Sequence, residues 1–144
     1  MRVFIDTNLW VYRLDKREIE KSELAARWLR VTARDHEIVI STQVLIELRA
    51  VLTHKFKPVW PASDVRTALQ ALAAFEVVAT DVNLVLDAHE LAQAEQLSWF
   101  DSLIAEAAIR SRCTLLYSED FGHDRKFQSL TVRNPFLDQI GDIP

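Results

Sequence analysis

Short apolar runs alternate with amphipathic stretches along the whole chain, and this alternation restricts the fold more than any other feature. The runs are Val3-Phe4-Ile5, Ile38-Val39-Ile40, Val77-Val78, Leu115-Leu116-Tyr117 and Leu130-Thr131-Val132. β-Branched and aromatic residues in runs this short read as buried strands. Between them, apolar residues recur at helical spacing, as in Val44, Leu45, Leu48, Val51 and Leu52, or Leu84, Val85, Ala88 and Leu91. The pattern predicts helices over residues 9–14, 19–34, 43–55, 64–74, 82–96 and 101–112. Thr7 or Asn8 would cap the first helix, Ser41 or Thr42 the third and Asp81 the fifth. Residues 121–126 read as a polar loop, and the tail after Phe136 as peripheral. Strands that alternate with helices predict a parallel sheet covered on both faces.

The 144 residues suit one domain, spanning residues 1–144, with a full hydrophobic core. Charges interrupt every apolar run well before the length of a membrane span, and the N-terminus shows no signal-segment pattern. The single cysteine, Cys113, cannot close an internal disulfide and reads as a small buried strand residue. A cytoplasmic protein is the expectation. The formal net charge of −4 argues against nucleic-acid binding by bulk charge, though acids and bases can occupy separate patches. Gly122 and Gly141 are the only glycines, so the chain has no glycine-rich phosphate loop.

Four acids stand out by position. Asp6 ends the first strand, Glu47 lies early in the helix after the second, Asp101 starts a helix, and Asp120 follows the fourth strand beside Glu119. Strand ends and helix starts share one edge of a parallel sheet, where ligands bind in such folds. Two carboxylates about 4 Å apart repel by roughly 4 kcal/mol at an effective dielectric near 20. Convergence therefore calls for shared protons or a divalent cation. Oxygen ligands without histidine or cysteine favour Mg²⁺ or Mn²⁺ over Zn²⁺. Each acid also has a plainer reading. Asp101 serves as a helix N-cap, Asp120 as a turn former, Glu47 as a surface residue and Glu119 as a solvated neighbour. Asp6 is the hardest to dismiss, because it ends an apolar strand.

The ordered set of segments resembles the PIN-domain nucleases, and within them the VapC-like toxins of type II toxin–antitoxin pairs. The segments are Val3 to Asn8, Ser41 to Leu48, Leu97 to Ala105, Leu115 to Phe121 and Leu130 to Phe136. The resemblance implies a three-layer α/β/α fold with a central five-stranded parallel sheet flanked by helices. It implies a Mg²⁺- or Mn²⁺-dependent endoribonuclease with metal ligands at Asp6, Glu47 and Asp101, and Asp120 as the fourth acid. Thr7 and Ser118 match hydroxyl positions that orient acids or water, with Asn8 in support. The fourth position reads Ser118-Glu119-Asp120, which leaves Glu119 and Asp124 as substitutes for Asp120. The family further implies an RNA substrate, a protein antitoxin whose arginine meets the acids, and a homodimer.

Phosphate contacts would come from Arg13, Lys16, Arg17, Arg49, Lys55, Arg125 and Lys126, although each also reads as ordinary solubilising charge. Trp10, Tyr12, Trp28 and Trp60 can stack on bases, with core packing the commoner use. His123 reads as a surface histidine or an acid–base aid near the acids. The competing functions are a silent PIN-like binding module and a PIN nuclease with a housekeeping role in RNA processing. A phosphatase-like or receiver-like domain is disfavoured, because position 8 is Asn8 and no acidic pair follows the first strand.

Overall fold

A computed structural model describes residues 1–137. The end of the tail read as peripheral, residues 138–144, lies outside the described residues together with Gly141. In chain order the elements are β1 (Arg2–Ile5), α1 (Thr7–Leu14), α2 (Ile19–Asp35), β2 (Glu37–Ser41), α3 (Thr42–His54) and α4 (Ala62–Ala73). They continue with β3 (Glu76–Val78), α5 (Val82–Glu95), α6 (Trp99–Arg110), β4 (Leu115–Tyr117), β5 (Lys126–Phe127) and β6 (Leu130–Arg133).

The strands form one sheet in the order β3-β2-β1-β4-β6-β5. β1 lies at its centre, parallel to β2 and β4, with Phe4 opposite Val39 and Leu116. Successive side chains on a strand point to opposite faces. Val3, Phe4 and Ile5 are nevertheless all fully buried, so helices cover both faces of the sheet. From the helices, Trp28, Leu48, Leu52, Leu84 and Ile104 complete the core.

The sheet is mixed and six-stranded, not the five-stranded parallel sheet expected. β5 runs antiparallel to β6, pairing Phe127 with Leu130 and Lys126 with Thr131. It has only two residues, and its turn carries Gln128 at φ 55°. Neither asparagine nor glycine marks that turn, so the sequence offers no hairpin signal there. Helix starts also shift. Asp6 itself caps α1, ahead of Thr7 and Asn8, and α6 begins at Trp99 with Ser98 as its cap. Ser41 holds the cap position of α3 without a side-chain bond, whereas Asp81 caps α5 as expected. Cys113 is buried, but in the connection before β4 and not in the strand.

Candidate functional site

The centre of the site is Asp6, which follows the middle strand of the sheet. Its Oδ1 accepts the Thr7 backbone N–H at 2.7 Å, which caps α1. Its Oδ2 accepts the Ser118 hydroxyl at 2.7 Å. Only 4% of the residue is exposed. Burial raises its pKa from 3.8 to about 7, and the nearby charges of Glu47 and Asp120 push the same way. The two hydrogen bonds oppose that rise, because they favour the charged form.

The segments after β2 and β4 and the start of α6 bring the other acids to the same cleft. Glu47 lies in the second turn of α3, straight after β2, and its Oε1 accepts the Thr7 hydroxyl at 3.1 Å. Asp101 is the third residue of α6, where its N–H donates to the Ser98 hydroxyl at 3.4 Å. Asp120 follows β4, and its Oδ2 accepts the Asn8 side-chain amide at 3.1 Å. Burial raises the carboxyl pKa of Glu47, with contributions from Asp101 and Asp120. The Asp101 carboxyl is raised by burial and then by Asp120. Ser118 links the group. Its buried hydroxyl donates to Asp6 and accepts the Asp120 N–H at 3.1 Å.

All four acids line one cleft of about 340 Å³, together with Thr7, Asn8, Lys55, Phe100 and Glu119. Among the described residues, no group of three or more His, Cys, Asp or Glu side chains forms a ready-made metal site. Instead neutral donors hold several acids individually: Ser118 on Asp6, Thr7 on Glu47 and Asn8 on Asp120. Like charges facing one cleft repel, and these bonds hold the carboxylates in place.

Several candidates fall elsewhere. Asp124 does not line the cleft; it sits 3.4 Å from the Arg133 guanidinium and 3.6 Å from His123. His123 accepts the Asn134 N–H at 3.0 Å and does not line the acid cleft. Glu119 reaches the cleft wall, where it accepts the Tyr12 hydroxyl at 2.8 Å. Burial and that bond raise the Tyr12 hydroxyl pKa to about 12. Among the basic candidates, Lys55 lines the cleft. Arg17 is tied to Asp15, and Arg125 to the Glu95 carbonyl and the Phe127 ring. Trp10 and Trp28 are buried in the core. Sequence reasoning missed Phe100, which falls between the helices predicted over 82–96 and 101–112. Its one signal was adjacency to Asp101.

A mainly parallel α/β sheet with a carboxylate-lined cleft at the carboxyl edge of its strands defines a PIN-like domain. The PIN domain family matches residues 3–127, and the chain belongs to that family. Three solved structures share the fold. A chain of VapBC2 from Rickettsia felis, bound to a DNA fragment from its promoter, is 18% identical at a TM-score of 0.64. The match covers 93% of this chain and 98% of that one. A chain of a toxin–antitoxin complex from Klebsiella pneumoniae is 16% identical, with coverages of 92% and 97% and a TM-score of 0.67. Mycobacterium tuberculosis VapC20, described as a Sarcin-Ricin loop cleaving toxin, is 16% identical, with coverages of 82% and 91% and a TM-score of 0.61. No curated protein matches the chain.

Proposed function

We propose that the chain is a Mg²⁺- or Mn²⁺-dependent endoribonuclease, the toxin of a type II toxin–antitoxin pair acting in the cytoplasm. The observation that carries this reading is the gathering of Asp6, Glu47, Asp101 and Asp120 in one cleft, with Asp6 nearly inaccessible. Burying a carboxylate among others is costly, and a cation relieves that cost. The donors fit a hard ion, because carboxylate, amide and hydroxyl oxygens line the cleft and no imidazole or thiol does. Asn8 adds a buried Oδ1 with no hydrogen-bond partner.

Asp6, Glu47 and Asp101 would hold the ion, with Asp120 as the fourth acid. Such an ion supplies a water nucleophile at neutral pH and stabilises charge building on a phosphate. The chain's own residues do the positioning. Ser118 and the α1 N-terminus fix both oxygens of Asp6, Thr7 fixes Glu47, and Asn8 fixes Asp120. Lys55 offers a cation to a phosphate flanking the acids.

An antitoxin arginine fits the same acids, since a guanidinium pairs with carboxylates where a metal would. A largely apolar groove of about 850 Å³, whose lining includes Leu14, Phe56, Trp60 and Ala68, is built on the same α1 and α3 segments as the cleft. Leu14 is one turn beyond Val11 of the cleft wall, and Phe56 follows Lys55. A partner segment with an apolar face and a terminal arginine would span both. The active unit would be a homodimer.

The test is Mn²⁺ titration calorimetry together with cleavage of total RNA by wild type and Asp6→Asn. Wild type should bind the ion and cut, and Asp6→Asn should do neither. Equal activity in the two proteins would reject this site.

A further inference from the structure

We propose that Phe100 is a stacking platform for the nucleobase beside the scissile phosphate. This rests on the nuclease reading above. Phe100 lines the acid cleft, immediately precedes Asp101, and is 64% exposed.

Its backbone is fixed. It lies in the first turn of α6 behind the Ser98 cap, and its carbonyl accepts the Gln43 side-chain amide at 3.1 Å. The ring, by contrast, is free. Among the described residues no other ring and no cation stacks on it. The other aromatic residue of the cleft is already engaged. Tyr12 donates to Glu119, packs edge-on against Phe136 and carries the Lys21 ammonium over its face.

A phosphodiester held at the cleft through a cation among the acids would bring its two flanking bases within a nucleotide's reach of the cleft rim. An aromatic ring held on a helix start offers such a base a flat partner at little cost in ordering. Every base has a π-face, so the contact tolerates any sequence. A base inside a duplex is covered on both faces and cannot use the ring; an unpaired one can. Lys55, lining the same cleft, is placed to take a neighbouring phosphate.

The experiment uses the full chain in Ca²⁺ and a short single-stranded RNA carrying 2-aminopurine, alone and paired with its complement. Wild type should bind the single strand more tightly and quench the probe. Phe100→Ala should weaken that binding about 5- to 100-fold and abolish the quench, leaving duplex binding unchanged. Phe100→Trp should retain both properties, and Phe100→Leu should behave like Phe100→Ala. Mn²⁺ titrations should be the same in all four proteins. Equal wild-type affinity for both RNAs, or rescue by Phe100→Leu, would overturn the inference. So would a fall in molar mass with Phe100→Ala that Phe100→Leu restores, since that marks a contact between copies. Quenching without cleavage in Mn²⁺ would reject the nuclease and keep the platform; cleavage with the same KM in all variants would do the reverse.

Discussion

Asp6 is held in a place that opposes its charge. Its pKa is raised from 3.8 to about 7, so the folded state binds a proton that the unfolded chain releases. The contribution of this group to stability is full below pH 4 and is lost as pH rises through 7. A rise of that size corresponds to roughly 4 kcal/mol. Asp6→Asn should therefore raise the melting temperature of the metal-free protein at pH 8 and change it little at pH 4. The asparagine keeps an acceptor for the Thr7 N–H, and its amide can donate to the Ser118 hydroxyl. Thermal melts at the two pH values check this, and a destabilised Asp6→Asn at pH 8 would contradict it. Ser118→Ala acts in the opposite direction. It removes a donor from a buried carboxylate, which costs about 1–3 kcal/mol where Asp6 is ionised. It should also move the pH midpoint of Mn²⁺ binding upward, a shift that calorimetry at stepped pH would detect.

At the scale of elements, the starts of helices decide where the acids sit. Ser98 sets the first turn of α6 and so the direction of Asp101. Ser98→Ala should cost about 1 kcal/mol in urea melts and lower Mn²⁺ affinity, while Ser63→Ala on α4 should leave affinity unchanged. Legibility followed the strength of local signals. β1 and β2 were readable because continuous β-branched runs are buried on both faces, and Asp6 was readable because an acid ends such a run. The start of α6 was not, because the exposed apolar pair Trp99-Phe100 resembles a join. Ser98 had the right spacing to Asp101 for a cap and went unused. β5 was hidden by its length and by a turn at Gln128 that lacks the usual residues. The separation of Asp120 from Asp124 was hidden for another reason. It depends on Arg133 of β6 lying beside Asp124, and on Asn8 of α1 reaching Asp120. Both are tertiary contacts, nine residues apart for Arg133 and Asp124 and 112 apart for Asn8 and Asp120, which periodicity does not register.

For the whole molecule, the cleft joins stability, proton binding and cation binding in one equilibrium. Asp6, Glu47 and Asp101 all have raised carboxyl pKa values, burial being the first cause in each. Without a cation, stability should therefore decline from about pH 4 to beyond pH 7, as the folded state is forced to ionise groups it prefers protonated. A divalent cation needs the ionised forms, so protons compete with it below pH 7 and cease to compete above. At a hundredfold excess over Kd, binding adds about 2.7 kcal/mol, which for a chain of this size is a rise of roughly 10 °C in melting temperature. The Mn²⁺-induced rise should be small at pH 5, large at pH 8 and reversed by a chelator. It should vanish in Asp6→Asn at both pH values. Melting curves with and without Mn²⁺ across that range measure it directly. A rise of the same size at pH 5 and pH 8 would mean that the ion binds somewhere other than among these acids. No rise at either would mean that the cleft tolerates its carboxylates by sharing protons instead.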